Sequence, residues 1–112
     1  MTDLTWNEFQ RVELRVGTII EAKSFPEARN PAFQLKIDFG QDIGIKKTSA
    51  QITELYQIDE LIGRQIVAVV NFPPKQIGPM MSECLVTGFH RPDGAVVLTS
   101  VDQALPDGSR LA

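Results

Sequence analysis

The sequence predicts an all-β domain: a five-stranded barrel with one helix between its third and fourth strands and short elements at both ends. Three observations lead there. Apolar residues alternate strictly in two early runs, Val12, Leu14, Val16, Thr18, Ile20 and then Phe33, Leu35, Ile37, Phe39, which is the period of a half-buried strand. Ile66-Val67-Ala68-Val69-Val70 is apolar on both faces, as a strand covered on both sides requires. Between them, from Ile52 through Leu55, Tyr56 and Ile58 to Leu61-Ile62, the spacing turns helical, and Gly63 stops it.

The elements follow in order. Thr5 with Glu8 three residues on has the capping-box pattern, so a short helix opens at Trp6. The first strand carries Gly17 in mid-run, where glycine marks a bulge or sharp bend that lets one strand serve both halves of a closed barrel. Phe25 to Pro31 is a loop punctuated by Pro26 and Pro31. Gly40 closes the second strand, and a third runs from Ile43 to Ala50. Cys84–Phe89 and Ala95–Thr99 flank Arg91-Pro92-Asp93-Gly94, a hairpin signal. Strand count and helix position together match the oligonucleotide/oligosaccharide-binding (OB) fold, a five-stranded Greek-key barrel.

A chain of 112 residues suits a single domain spanning residues 1–112. Eleven basic and fourteen acidic residues give a net charge of −3, which argues against tight, general binding to nucleic acid. The polar N-terminus does not have the form of a secretory signal, and no apolar run nears the roughly 20 residues of a membrane span. With one cysteine and therefore no internal disulfide, the expectation is a cytoplasmic protein without membrane insertion.

Enzyme chemistry finds little support. Cys84 and His90 are six residues apart, about 20 Å along one continuous strand, too far for a dyad. They are also too few for a structural zinc site, and no phosphate loop occurs. The expectation is no catalysis, no metal and no cofactor. Two stretches suggest binding instead. Lys46-Lys47 either meets phosphates or an acidic peptide, or is a solvated strand edge where lysine deters pairing. Asn71 to Glu83 reads as a loop with three prolines and several large apolar residues. Met80-Met81 in it either offers an adaptable contact surface or plugs a barrel end. Trp6, Phe9, Phe25 and Phe33 have the chemistry to stack bases; Phe9 and Phe33 are assigned to the core.

Four runs, Val12–Ile19, Phe25–Ala32, Gly44–Thr53 and Val69–Ile77, resemble in order the CsaA secretion-chaperone family. That family belongs with the tRNA-binding domains attached to some aminoacyl-tRNA synthetases. The resemblance implies an OB-fold homodimer whose terminal elements pack across the two-fold axis, here through Leu4, Trp6, Phe9, Leu105 and Leu111. It also implies a chaperone that holds unfolded preproteins in a cleft and hands them to the translocation motor. The cleft expected here is an apolar groove at Phe72, Pro74, Met80 and Met81, with Asn71 and Ser82 beside it and Lys46, Lys47 and Lys75 at its rim. The alternative is a tRNA-binding module using the same face, with weak tRNA binding as a side activity.

Overall fold

A computed structural model describes residues 1–111. Its organising element is β1 (Leu14–Ser24), which serves two partners in turn. Residues Leu14–Thr18 run antiparallel to β4 (Gln65–Val69), and Thr18–Ser24 run antiparallel to β2 (Phe33–Asp38). β2 pairs with β3 (Ile45–Ala50) and β4 with β7 (Leu85–Val86), giving a five-stranded sheet in the order β3-β2-β1-β4-β7. The Glu83 amide donates to the Lys47 carbonyl at 2.8 Å and the Thr48 hydroxyl to the Cys84 carbonyl at 2.8 Å. These bonds bring β3 beside β7 and nearly close the sheet. The result is a Greek-key barrel of the OB type.

Gly17 acts differently from expectation. The register shift in β1 falls between Ile19 and Glu21, so the bulge lies at Ile20. Gly17 is required by close packing: a Cβ there would stand 2.6 Å from Ile37 Cγ2 and 2.6 Å from Phe39 Cε1. Ile37 and Phe39 cross β1 at that point, within a core that also holds Ile19, Leu35, Leu61 and Ile66. Four consecutive buried residues in β4, Ile66–Val69, match its position between β1 and β7.

The crossover from β3 to β4 is helical only over α2 (Ile58–Leu61), a single turn. Residues 52–56 are turn-like, and Ile52 and Tyr56 at their ends are tertiary anchors, while Leu55 between them is exposed. Ile52 is in the core, and the Tyr56 hydroxyl accepts the Leu98 amide at 3.0 Å while its ring carries the Arg64 guanidinium at 5.1 Å. Gly63, at φ +87°, ends the turn in a conformation that favours glycine.

The proline- and methionine-rich stretch is a second correction. It forms a hairpin, β5 (Lys75–Ile77) with β6 (Met80–Ser82), around Gly78-Pro79, instead of a loop. β8 (Gly88–His90) and β9 (Val96–Leu98) form the expected hairpin around Asp93-Gly94.

At the N-terminus, α1 (Trp6–Gln10) carries the full capping box: the Thr5 amide donates to Glu8 Oε1 at 3.1 Å and the Glu8 amide to Thr5 Oγ1 at 3.2 Å. No residue of α1 is buried, so Phe9 is half-exposed and outside the core. Phe33 packs against the core as expected, and Phe25 is buried, which removes it from any stacking platform. The C-terminal segment zips along the edge of β1 opposite β4. Gly108 donates to the Val16 carbonyl at 2.7 Å, Val16 to the Ser109 carbonyl at 2.9 Å, and Leu111 to the Leu14 carbonyl at 2.9 Å. The expectation for Ala112 lies outside the described residues.

Candidate functional site

The loop between β1 and β2 and the β5–β6 hairpin project at the same end of the barrel and enclose a groove of about 720 Å³. Ala28, Arg29 and Asn30 form the loop side. Phe72, Pro73, Lys75 and Ile77 form the hairpin side. The floor is the seam of the barrel, with Ser49 and Gln51 from the β3 end and Ser82, Cys84 and Leu85 from the β7 end. Phe72 and Leu85 are 55% and 51% exposed, so the groove shows apolar surface that a self-contained barrel would bury.

Of the nine residues expected at the cleft, the groove gathers Phe72, Lys75 and Ser82. Pro73 takes the place expected for Pro74, which faces solvent outside the groove. Asn71 is committed to the fold: it accepts the Glu13 amide at 3.0 Å and donates to the Arg11 carbonyl at 2.7 Å. Strand alternation in β6 sends Met80 inward, 8% exposed, and Met81 outward, so they form neither one surface nor one plug. The same period separates Lys46, half-buried, from Lys47, exposed. Lys47 lies with Lys23 and Lys36 along a smaller hollow of about 280 Å³. Ser82 serves the seam. Its Oγ is 2.7 Å from the Thr48 hydroxyl and accepts the Ser49 amide at 3.2 Å.

Cys84 lies beneath the groove, and burial pushes its thiol up to about 11. It therefore stays protonated near neutrality, where a nucleophile would need the thiolate. His90 is exposed in the β8–β9 hairpin, its Nδ1 3.2 Å from the Gly94 carbonyl.

A second hollow, about 580 Å³, lies where the C-terminal segment meets β1 and β4. Leu14, Val101, Leu105 and Leu111 line it with Phe89, which is 71% exposed. Leu105 and Leu111 thus share a face. Leu4 and Trp6 are exposed and Phe9 half-exposed on the N-terminal segment, which does not line that hollow. Sequence reading overlooked Arg29, Leu85 and Phe89. Arg29 sits in a loop without periodicity; Leu85 and Phe89 lie on the short strands β7 and β8, where a local pattern reads as half-buried, and both are exposed.

Barrel topology and groove together define a binding module of the OB class, and residues 14–110 match the model of the family described as "Putative tRNA binding domain". Methionine–tRNA ligases contain a similar segment. That of Flavobacterium psychrophilum is 33% identical over 90% of this chain, and that of Bacillus subtilis 30% identical over 99%. The chain spans only 14% and 16% of the length of those two ligases. Two solved structures match along essentially their whole length. The chaperone CsaA of Bacillus anthracis shares 46% identity with a TM-score of 0.93, covering 99% of this chain and 100% of that one. The CsaA chaperone protein of Picrophilus torridus shares 50% identity with a TM-score of 0.91, covering 98% and 100%. The chain belongs to the CsaA family, within the tRNA-binding-domain group.

Proposed function

We propose that this protein is a homodimeric chaperone of the cytoplasm that holds unfolded preproteins in the groove and passes them to the export motor. The observation that carries the reading is the pair Phe72 and Leu85, apolar and half-exposed on the lining of a groove of about 720 Å³. Such a site gains from burying side chains of the bound segment and has few directional partners, so it binds many sequences weakly. A Kd on the order of micromolar follows. No covalent chemistry is involved; the protonated thiol under the groove supports that view. The terminal hollow, with Leu105, Leu111 and Phe89, is the face on which a second copy would close, with Leu4, Trp6 and Phe9 reaching across from the N-terminal segment. Calorimetric titration with unfolded or signal-bearing polypeptides tests the proposal: saturable binding weakened by Phe72→Ala is expected. Failure of every unfolded chain to give a saturable heat would end it.

A second reading is favoured by one feature. Lys23, Lys36 and Lys47 line one hollow on the outer surface of β1–β3 together with Glu21, and among the described residues Lys36 alone of the three is ion-paired, to Glu21 at 3.3 Å. That surface suits a phosphate backbone. A tRNA-binding module predicts a log–log salt slope near −0.7 to −0.9 per phosphate contacted. Bulk tRNA that shows no gel retardation at low salt would remove it.

A further inference from the structure

We infer that the groove selects among extended segments by charge, Arg29 and Lys75 favouring those that carry a carboxylate next to an apolar residue. The inference rests on the reading of the groove as a peptide site. The chain has fourteen acidic residues and a net charge of −3, yet among the described residues no carboxylate lines the groove. The groove's two cations come from the two walls, Arg29 from the β1–β2 loop and Lys75 from the first strand of the hairpin. Neither takes part in the four ion pairs among the described residues. They stand beside Phe72, Ile77 and Leu85, so an anion laid between them meets positive charge over an apolar surface that screens it less than open water does. Asn30 and Gln51 add neutral polar groups for an extended backbone. A lysine- or arginine-rich segment, such as the basic start of a secretory signal, meets like charge on both sides and is disfavoured. The occupant is thus an acidic–apolar stretch of an unfolded chain.

The test is calorimetry on the full chain with short apolar peptides, amidated at the C-terminus, that differ only in a central Asp, Asn or Lys. A free-acid version of the Asn peptide separates a side-chain carboxylate from a terminal one. The Asp peptide is expected to bind about three- to tenfold tighter than the Asn peptide and the Lys peptide more weakly than either, as two rim charges allow. In Arg29→Gln/Lys75→Gln the Asp-to-Asn ratio is expected to fall to about one, while Arg91→Gln, on the β8–β9 turn, keeps it. Asp, Asn and Lys peptides that bind equally would overturn the selectivity and leave the peptide site standing; no binding by any peptide would overturn both. Retardation of bulk tRNA that the double variant loses, without discrimination among peptides, would assign the two cations to phosphate and overturn the inference.

Discussion

Arg15 and Arg110 line the terminal hollow, Arg29 and Lys75 line the groove, and the two pairs of cations are held differently. Glu13 meets Arg15 at 2.6 Å and Arg110 at 3.0 Å, while Arg15 also donates to the Gly108 carbonyl and Arg110 to that of Gln10. Those arginines are fastened within the chain, tying α1, β1 and the C-terminal segment together. Among the described residues, Arg29 and Lys75 have no such counter-charge. A hollow whose charges are already matched presents a partner mainly with apolar contact and neutral hydroxyls, which suits a second copy of the same surface. A hollow with unmatched charge adds direction and suits a different molecule.

Four experiments put that contrast to the test. Phe89→Asp is expected to weaken self-association by about a hundredfold or more, since a two-fold interface meets each buried charge twice. Sedimentation equilibrium reads it, and peptide binding per protomer is expected to persist. Alkylation of Cys84 at mild alkaline pH is expected to be about a hundredfold slower than for an ordinary exposed thiol, because burial raises it from 9.0 to about 11. Rapid labelling would mean that the groove opens down to its floor. Phe72→Ala is expected to cost about tenfold in peptide affinity, the worth of a half-buried aromatic contact, and to leave self-association unchanged.

The smallest effect concerns Glu13. Its hydrogen bond to Arg15, with the nearby charge of Arg110, holds its carboxyl below the ordinary value of 4.5. A depressed carboxyl contributes stability that is present above its unfolded value and is lost as pH falls through the lower, folded one. Glu13→Gln is therefore expected to speed amide exchange at Gly108 and Leu111 at neutral pH. The difference from wild type is expected to vanish in strong acid.

Most of the barrel is written in alternation. Leu35 and Ile37 in β2 face inward because a half-covered sheet demands it, and hydrophobic period reports that demand directly; in β1 the period fails, since Ile20, expected on the face of Val16, is 43% exposed at the bulge and Ile19 is buried in its place. Ile52 and Tyr56 show where period misleads. Their spacing looked helical, but each is pinned by a distant partner, and tertiary anchors in an irregular crossover have no period of their own. The hairpin at Lys75–Ser82 was legible in part: Gly78-Pro79 between two short runs is a turn signal, and reading Met80-Met81 as strand would have split them at once. The groove was legible only where apolar side chains sit among prolines, as at Phe72. Arg29 became a site residue because the β1–β2 loop folds toward a segment more than 40 positions away, and a local pattern does not encode that approach.

The Thr48 hydroxyl, wholly enclosed, touches both the Cys84 carbonyl and Ser82 Oγ. It is the latch where the two free margins of the cylinder meet, and its partners Ser82 and Cys84 lie in the bed on which an occupant would rest. A guest resting there braces the join that would otherwise gape first, so occupancy and mechanical integrity rise together. Melting temperature would then climb with guest concentration, and a valine at position 48 would loosen the staves while slackening their hold on the guest.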